Sequence, residues 1–168
     1  MHTCNAYTIL CELLFALIAA SALNFTIVYR ANEVIPNTCY RIPTLTQSGD
    51  WLLAFSEERY GARTCADNGV GHNLVLKRSK DGGHSWSPLQ RVVGSAQNLR
   101  FGGDVWGNPS PVTLFDGTLI LHYCSGNNPS IPQHGSTFQI VSRDAGLTWS
   151  KPVNISRYIH AHIYIAVD

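Results

Sequence analysis

The chain has 168 residues, 45% of them hydrophobic and 14% charged, with 12 basic and 11 acidic side chains and a formal net charge of +1. That is the length of one domain with enough apolar residues for a core. This near-neutral balance excludes a disordered polyelectrolyte, and with no run of Lys or Arg it argues against a nucleic-acid surface, because phosphate binding rests on clustered cations. Fourteen glycines, eight prolines and four tryptophans indicate many turns and a β-rich chain.

From Ala6 to Ile27 the chain is nearly all apolar, with Glu12 its only charge. This stretch reads as the core of a secretory signal peptide, and Ala20-Ser21-Ala22 supplies the small residues for cleavage after Ala22. The same stretch is long enough for an uncleaved signal anchor, and a buried strand or helix is a third reading. Residues 1–22 are therefore expected to direct the protein to a secreted or lumenal (extracellular or lysosomal) location, with membrane anchoring as the alternative. Beyond them lie Cys39, Cys65 and Cys124, an odd number that permits at most one internal disulfide. Asn24-Phe25-Thr26 and Asn154-Ile155-Ser156 have the form of N-glycosylation acceptors.

Short β-type runs separated by turn signals follow in order. The first is Phe25–Tyr29. Arg41–Leu45 and Trp51–Phe55 flank the turn Gln47-Ser48-Gly49-Asp50, and Asn73–Arg78 and Leu89–Val93 complete the set. After a polar, glycine-rich loop at Gly94–Gly107 the pattern restarts with Ser110–Phe115, Thr118–Tyr123, Phe138–Ser142 and Val153–Ile155. No long stretch keeps a helical period. Two segments share the pattern S-x-D-x-G-x-x-W: Ser79, Asp81, Gly83 and Trp86 in the first, Ser142, Asp144, Gly146 and Trp149 in the second, 63 residues apart. Average residue usage yields this pattern about 4 × 10⁻⁴ times in such a chain. Each copy is preceded by three strand-like runs and followed by one, so the repeating unit is a four-stranded propeller blade. Physically the motif is a turn. Its aspartate accepts turn N–H groups, its glycine permits a positive φ, and its tryptophan packs between sheets. Asp81 and Asp144 are accordingly read as structural, with catalytic acid as the competing role.

These repeats resemble the Asp boxes of the sialidase (neuraminidase) superfamily. Tyr40-Arg41-Ile42-Pro43 is similar to the Arg-Ile-Pro motif that opens the sialidase catalytic domain. Leu52-Leu53-Ala54-Phe55-Ser56-Glu57-Glu58-Arg59 resembles the strand that follows it, and Leu74–Arg78 runs into the first box. The resemblance spans about Cys39 to Ser156, and it implies an all-β, six-bladed β-propeller of which about the first two blades are present in residues 23–156. Residues 157–168 match nothing in the pattern and read as an atypical tail.

The resemblance also implies the chemistry. Sialic acid carries a carboxylate on its anomeric carbon, which suits a guanidinium that is always charged and binds bidentately. Arg41 would be the first of three arginines around that carboxylate, and Arg59 would support the carboxylate or a neighbouring hydroxyl. Asp67 would act as the acid/base, protonating the departing oxygen and then activating water; read locally, Cys65–Gly69 is a simple turn. One of Glu57 and Glu58 is expected to face solvent and the other to pair with an arginine. Asn108 stands in the Gly107-Asn108-Pro109-Ser110 turn where bacterial relatives have an aspartate, and Asp104 is the nearest acid; both are weaker binding candidates. Cys39 and Cys65 flank these candidates and are the preferred disulfide pair, with three free thiols as the alternative. No metal-ligand spacing occurs, since His160-Ala161-His162 lacks a third ligand, and no cofactor is implied.

The expected activity is exo-α-sialidase hydrolysis of terminal sialic acid on glycoproteins, oligosaccharides or gangliosides, so the expected partner is a sialylated glycoconjugate. A trans-sialidase or a non-catalytic Asp-box propeller binding glycans or proteins is the alternative. Oligomeric state is not indicated. Family members take a tyrosine nucleophile, its glutamate and two further arginines from later in the domain, and no Glu follows Glu58. The chain is thus expected to be a fragment without turnover of its own, with open strand edges and unburied apolar faces.

Overall fold

The computed structural model describes residues 25–61, 65, 70–100, 103–126 and 135–160. The expected leader (1–22), Asn24, Asp67 and the tail beyond residue 160 lie outside the described residues.

Among the described residues, eight strands form two antiparallel four-stranded sheets. The first holds β1 (Thr38–Ser48), β2 (Trp51–Tyr60), β3 (His72–Ser79) and β4 (Gln90–Val93), and the second β5 (Trp106–Thr113), β6 (Leu119–Ser125), β7 (Thr137–Ser142) and β8 (Val153–Asn154), each in sequential order. Each expected repeat is therefore one meander. Alternation along the strands turns Leu53, Phe55, Leu74 and Leu76 of the first sheet toward Leu119, Leu121, Tyr123, Phe138 and Ile140 of the second, and these form a single buried cluster. Burial of each such side chain is worth about 1.5–3 kcal/mol.

Polar bonds add register to this apolar contact. Thr46 and Thr113 share a hydroxyl–hydroxyl bond of 3.0 Å, and the Ser48 hydroxyl donates to the Gly117 carbonyl at 2.8 Å. The ring of Trp149, from the second S-x-D-x-G-x-x-W turn, meets Phe55 edge-on at 6.1 Å.

Both repeats carry the same irregularity. The β1–β2 register shifts between Arg41 and Thr44, and the β5–β6 register between Gly107 and Ser110. In each case one extra residue bulges the strand. The bulges contain Ile42 (φ 53°) before Pro43 and Asn108 (φ 56°) before Pro109. Arg41-Ile42-Pro43 and Gly107-Asn108-Pro109 are thus equivalent segments, and the latter opens β5 rather than forming the expected turn.

The expected strand at Phe25–Tyr29 is not a strand. Residues 25–37 run unpaired over the first sheet's far face, where the Tyr29 hydroxyl donates to the Ala54 carbonyl at 2.6 Å and Lys77 Nζ donates to the Val28 carbonyl at 2.8 Å. These side-chain bonds take the place of a strand ladder. They also cover a face expected to be open: Ala54, Ser56, Glu58 and Val75 are buried there. The second sheet and its β5–β6 turn keep exposed apolar residues, Val112 and Val153 on the strands and Phe115 in the turn. Ser156–His160 forms one helical turn, α1; the Asn154 side-chain oxygen accepts the Ser156 N–H at its start. No described helix is long and apolar enough to cross a membrane.

Candidate active site

Directly paired residues of antiparallel strands share a face. The pairs Cys39–Arg59, Arg41–Glu57 and Arg59–His72 therefore bring these five side chains to one face of the first sheet, at the end remote from the S-x-D-x-G-x-x-W turns. Four of them, Arg41, Glu57, Arg59 and His72, border a cavity of about 450 Å³ between the sheets, whose second wall includes Gly107, Asn108, Cys124 and Ser125.

Two guanidinium groups converge there. Nη1 of Arg41 and Nη1 of Arg59 both donate to the Cys65 carbonyl, at 3.3 and 3.2 Å. Cys65 is held by a disulfide to Cys39, with 6.1 Å between their Cα atoms. Arg41 is exposed, whereas Arg59 is 3% exposed and gives Nε (2.7 Å) and Nη2 to Oε2 of Glu57. Nδ1 of His72 lies 3.8 Å from the same oxygen. Oε1 of Glu57 accepts the backbone N–H of Asn108 from the second sheet at 2.8 Å. The side-chain amide of Asn108 donates to Sγ of Cys124 at 3.1 Å. Two guanidiniums against one carboxylate leave the described lining cationic, which suits a carboxylated ligand.

Arg41, Arg59 and Asn108 of the sequence candidates line the cavity; Asp67 lies outside the described residues. Asp104 does not border the cavity. Its carbonyl accepts the His72 N–H and the Asn98 side chain, both at 2.9 Å, so its role here is main-chain bracing. Neither glutamate faces solvent, contrary to expectation: Glu57 is 2% and Glu58 0% exposed, and each pairs with an arginine, Arg59 and Arg91 respectively. The reason is that the first sheet is covered on both sides, by the second sheet and by residues 25–37. Sequence reading overlooked His72 and Cys124 as lining residues. The one usable signal was the i, i+2 spacing of Glu57 and Arg59, which puts opposite charges on one strand face.

The two aspartates of the repeated turns are engaged locally. Asp81 accepts from the Ser79 hydroxyl (2.7 Å) and the Ser85 N–H (2.9 Å), and Asp144 accepts from the Ser142 hydroxyl and the Thr148 N–H, both at 2.8 Å. Hydrogen bonds, first from the Thr148 hydroxyl and then from its N–H, lower the Asp144 pKa to about 2, and those from Ser85 lower Asp81 in the same way. Among the described residues no cluster of three His, Cys, Asp or Glu could hold a metal.

Two meanders packed face to face, with a cavity at one end of their interface, are neighbouring blades of an all-β propeller. No family model matches the chain. An exo-alpha-sialidase of Aspergillus fumigatus is 34% identical over 146 residues, covering 70% of this chain and 34% of that protein. A sialidase of Micromonospora viridifaciens is 34% identical over 133 residues, covering 70% of this chain and 19% of that protein. Among solved structures, Hadza microbial sialidase Hz136 superposes with a TM-score of 0.55 at 25% identity, over 70% of this chain and 26% of that one. A leech intramolecular trans-sialidase shares the fold, with a TM-score of 0.64 at 12% identity over 86% of this chain and 39% of that one. The chain belongs to the sialidase superfamily, and it spans about a third or less of the length of the curated relatives it matches.

Proposed function

We propose that this chain is the N-terminal part of an exo-α-sialidase that releases terminal sialic acid from glycoconjugates. The observation that carries this reading is the convergence of Arg41 and Arg59 on the Cys65 carbonyl at the edge of the cavity. Arg41, the more exposed, is assigned to the sialic acid carboxylate. Arg59 and Asn108 are assigned to the adjoining ring substituents. Asp67 follows Cys65 by two positions in the sequence, and it is assigned the acid/base role because a carboxyl group can protonate the departing oxygen and then take a proton from water during glycoside cleavage. We also propose a secreted or lumenal location, which the Cys39–Cys65 disulfide supports, since such bonds persist in oxidising compartments.

Calorimetric titration of the purified chain with N-acetylneuraminic acid, with galactose as the control, tests the assignment. Sialic acid should bind, galactose should not, and Arg41→Ala should weaken sialic acid at least tenfold. Equal affinities for wild type and Arg41→Ala would remove the carboxylate assignment.

A further inference from the structure

We propose that Glu57 is a positioning residue that fixes both walls of the cavity at once, and that position 107 is glycine because this carboxylate fills the space of a side chain there. The ligand in this proposal rests on the sialic acid reading above; the geometry does not.

Each carboxylate oxygen serves a different sheet. Oε2 takes Nε and Nη2 of Arg59 from the first sheet, and Oε1 takes the Asn108 N–H from the second. Glu57 is 2% exposed, so both oxygens are largely shielded from bulk solvent. A Cβ built on Gly107 would stand 2.8 Å from Oε1 and 3.6 Å from the carboxyl carbon. The equivalence of the two bulges gives this contact its meaning. Arg41 occupies the first bulge position in one repeat and sends its side chain to the Cys65 carbonyl beside Arg59. Gly107 occupies the same position in the next repeat, where the side chain is removed and Glu57 takes its place.

Asn108 then adopts φ 56°, an uncommon conformation for a residue other than glycine. A charge-assisted bond from its N–H holds it there. Removing the carboxylate should therefore release Arg59 and Asn108 together, although they stand on different sheets. Crowding Glu57 from the second sheet should likewise disturb Arg59 on the first.

The test uses the Arg59 Nε–H and Asn108 amide resonances of the full chain. In Glu57→Gln the Asn108 amide should exchange with deuterium at least tenfold faster, while amides of Leu121 and Ile140 keep wild-type protection. In Gly107→Ala, which alters no charge, the Arg59 Nε–H resonance should shift. Unchanged Asn108 exchange in the first variant, or an unmoved Arg59 signal in the second, would overturn the proposal. Should Glu57→Gln not fold, Gly107→Ala decides alone. Titration with N-acetylneuraminic acid adds the ligand: both variants should bind at least tenfold more weakly than wild type, and wild-type affinity in both would overturn the positioning role. If the wild type itself does not bind, the sialic acid reading fails, and the exchange and resonance results still decide the role of Glu57.

Discussion

Arg41 and Arg59 share one acceptor, the carbonyl oxygen of Cys65, which stands 3.3 Å from one Nη1 and 3.2 Å from the other. Two guanidiniums repel each other when brought together. The carbonyl dipole between them and the Glu57 carboxylate behind Arg59 offset that repulsion. The acceptor is itself held in place: Cys65 is bonded to Cys39, and Cys39 is the direct cross-strand partner of Arg59. The disulfide thus ties Cys65 to the strand pair that carries both arginines.

Reduction should therefore act on stability and binding together. The bond links residues 26 positions apart. Closing a loop of that length is worth about 3.5 kcal/mol in the chain-entropy account, which corresponds to a fall in melting midpoint of about 10 °C for a domain of this size. Melting curves with and without a phosphine reductant measure the fall, and Cys65→Ser should reproduce it. A midpoint indifferent to reductant would contradict the role given to the bond.

The repeated turns predict a response to acid. Asp144 has a pKa near 2 in the folded chain against an ordinary 3.8, and Asp81 is lowered in the same direction. A carboxylate with a lowered folded pKa contributes stability above its unfolded pKa, and that contribution is lost as pH falls through the folded value. The melting midpoint should therefore decline between about pH 4 and pH 2. Asp144→Asn should make that decline shallower, and adding Asp81→Asn should make it shallower again. Identical slopes for the wild type and the double variant would show that these turns do not titrate with folding.

Much of this fold was legible because it repeats. Two copies of one turn motif, each with four strand-like runs around it, define the unit, and the hydrophobic alternation of Leu53–Phe55 and Leu119–Leu121 defines the packed faces. Phe25–Tyr29 misled because a β-type run does not reveal whether a partner strand lies beside it; here Tyr29 and Lys77 use side chains instead. Glu57 and Glu58 misled for a related reason. Strand alternation shows which faces they occupy, and only the tertiary structure shows that both faces are covered. The bulge at Asn108 was hidden because its resemblance to Ile42 lies in backbone conformation and a following proline, with no side chain in common.

Glu58 offers a separate test on the far face of the first sheet. Its carboxylate is fully buried and accepts from Nε (2.7 Å) and Nη2 (2.8 Å) of Arg91 and from the Asn73 amide (3.1 Å). Removing one member of a buried pair costs about 3–5 kcal/mol, because the other charge is left uncompensated. Arg91→Ala should lose about that much in urea denaturation. The double variant Glu58→Gln/Arg91→Ala should recover part of it. A double variant less stable than Arg91→Ala would mean that the carboxylate contributes without its arginine.

The last comparison separates backbone strain from crowding at two positions with the same sequence role. Gly83 and Gly146 both have positive φ, 92° and 81°. A Cβ at Gly83 would meet Trp86 and Leu52 at 3.6 and 3.7 Å, ordinary contact distances. At Gly146 it would stand 2.7 Å from Leu76 and 2.9 Å from Leu53, because the second turn is pressed against the core face of the first sheet. Gly83→Ala should therefore cost only the left-handed backbone penalty of about 1–2 kcal/mol. Gly146→Ala should carry that penalty plus about 1–3 kcal/mol for overpacking. Equilibrium unfolding of the two variants measures the difference. Equal losses would show that the interface yields at Leu53 and Leu76, and that the two sheets are less firmly seated than their shared core implies.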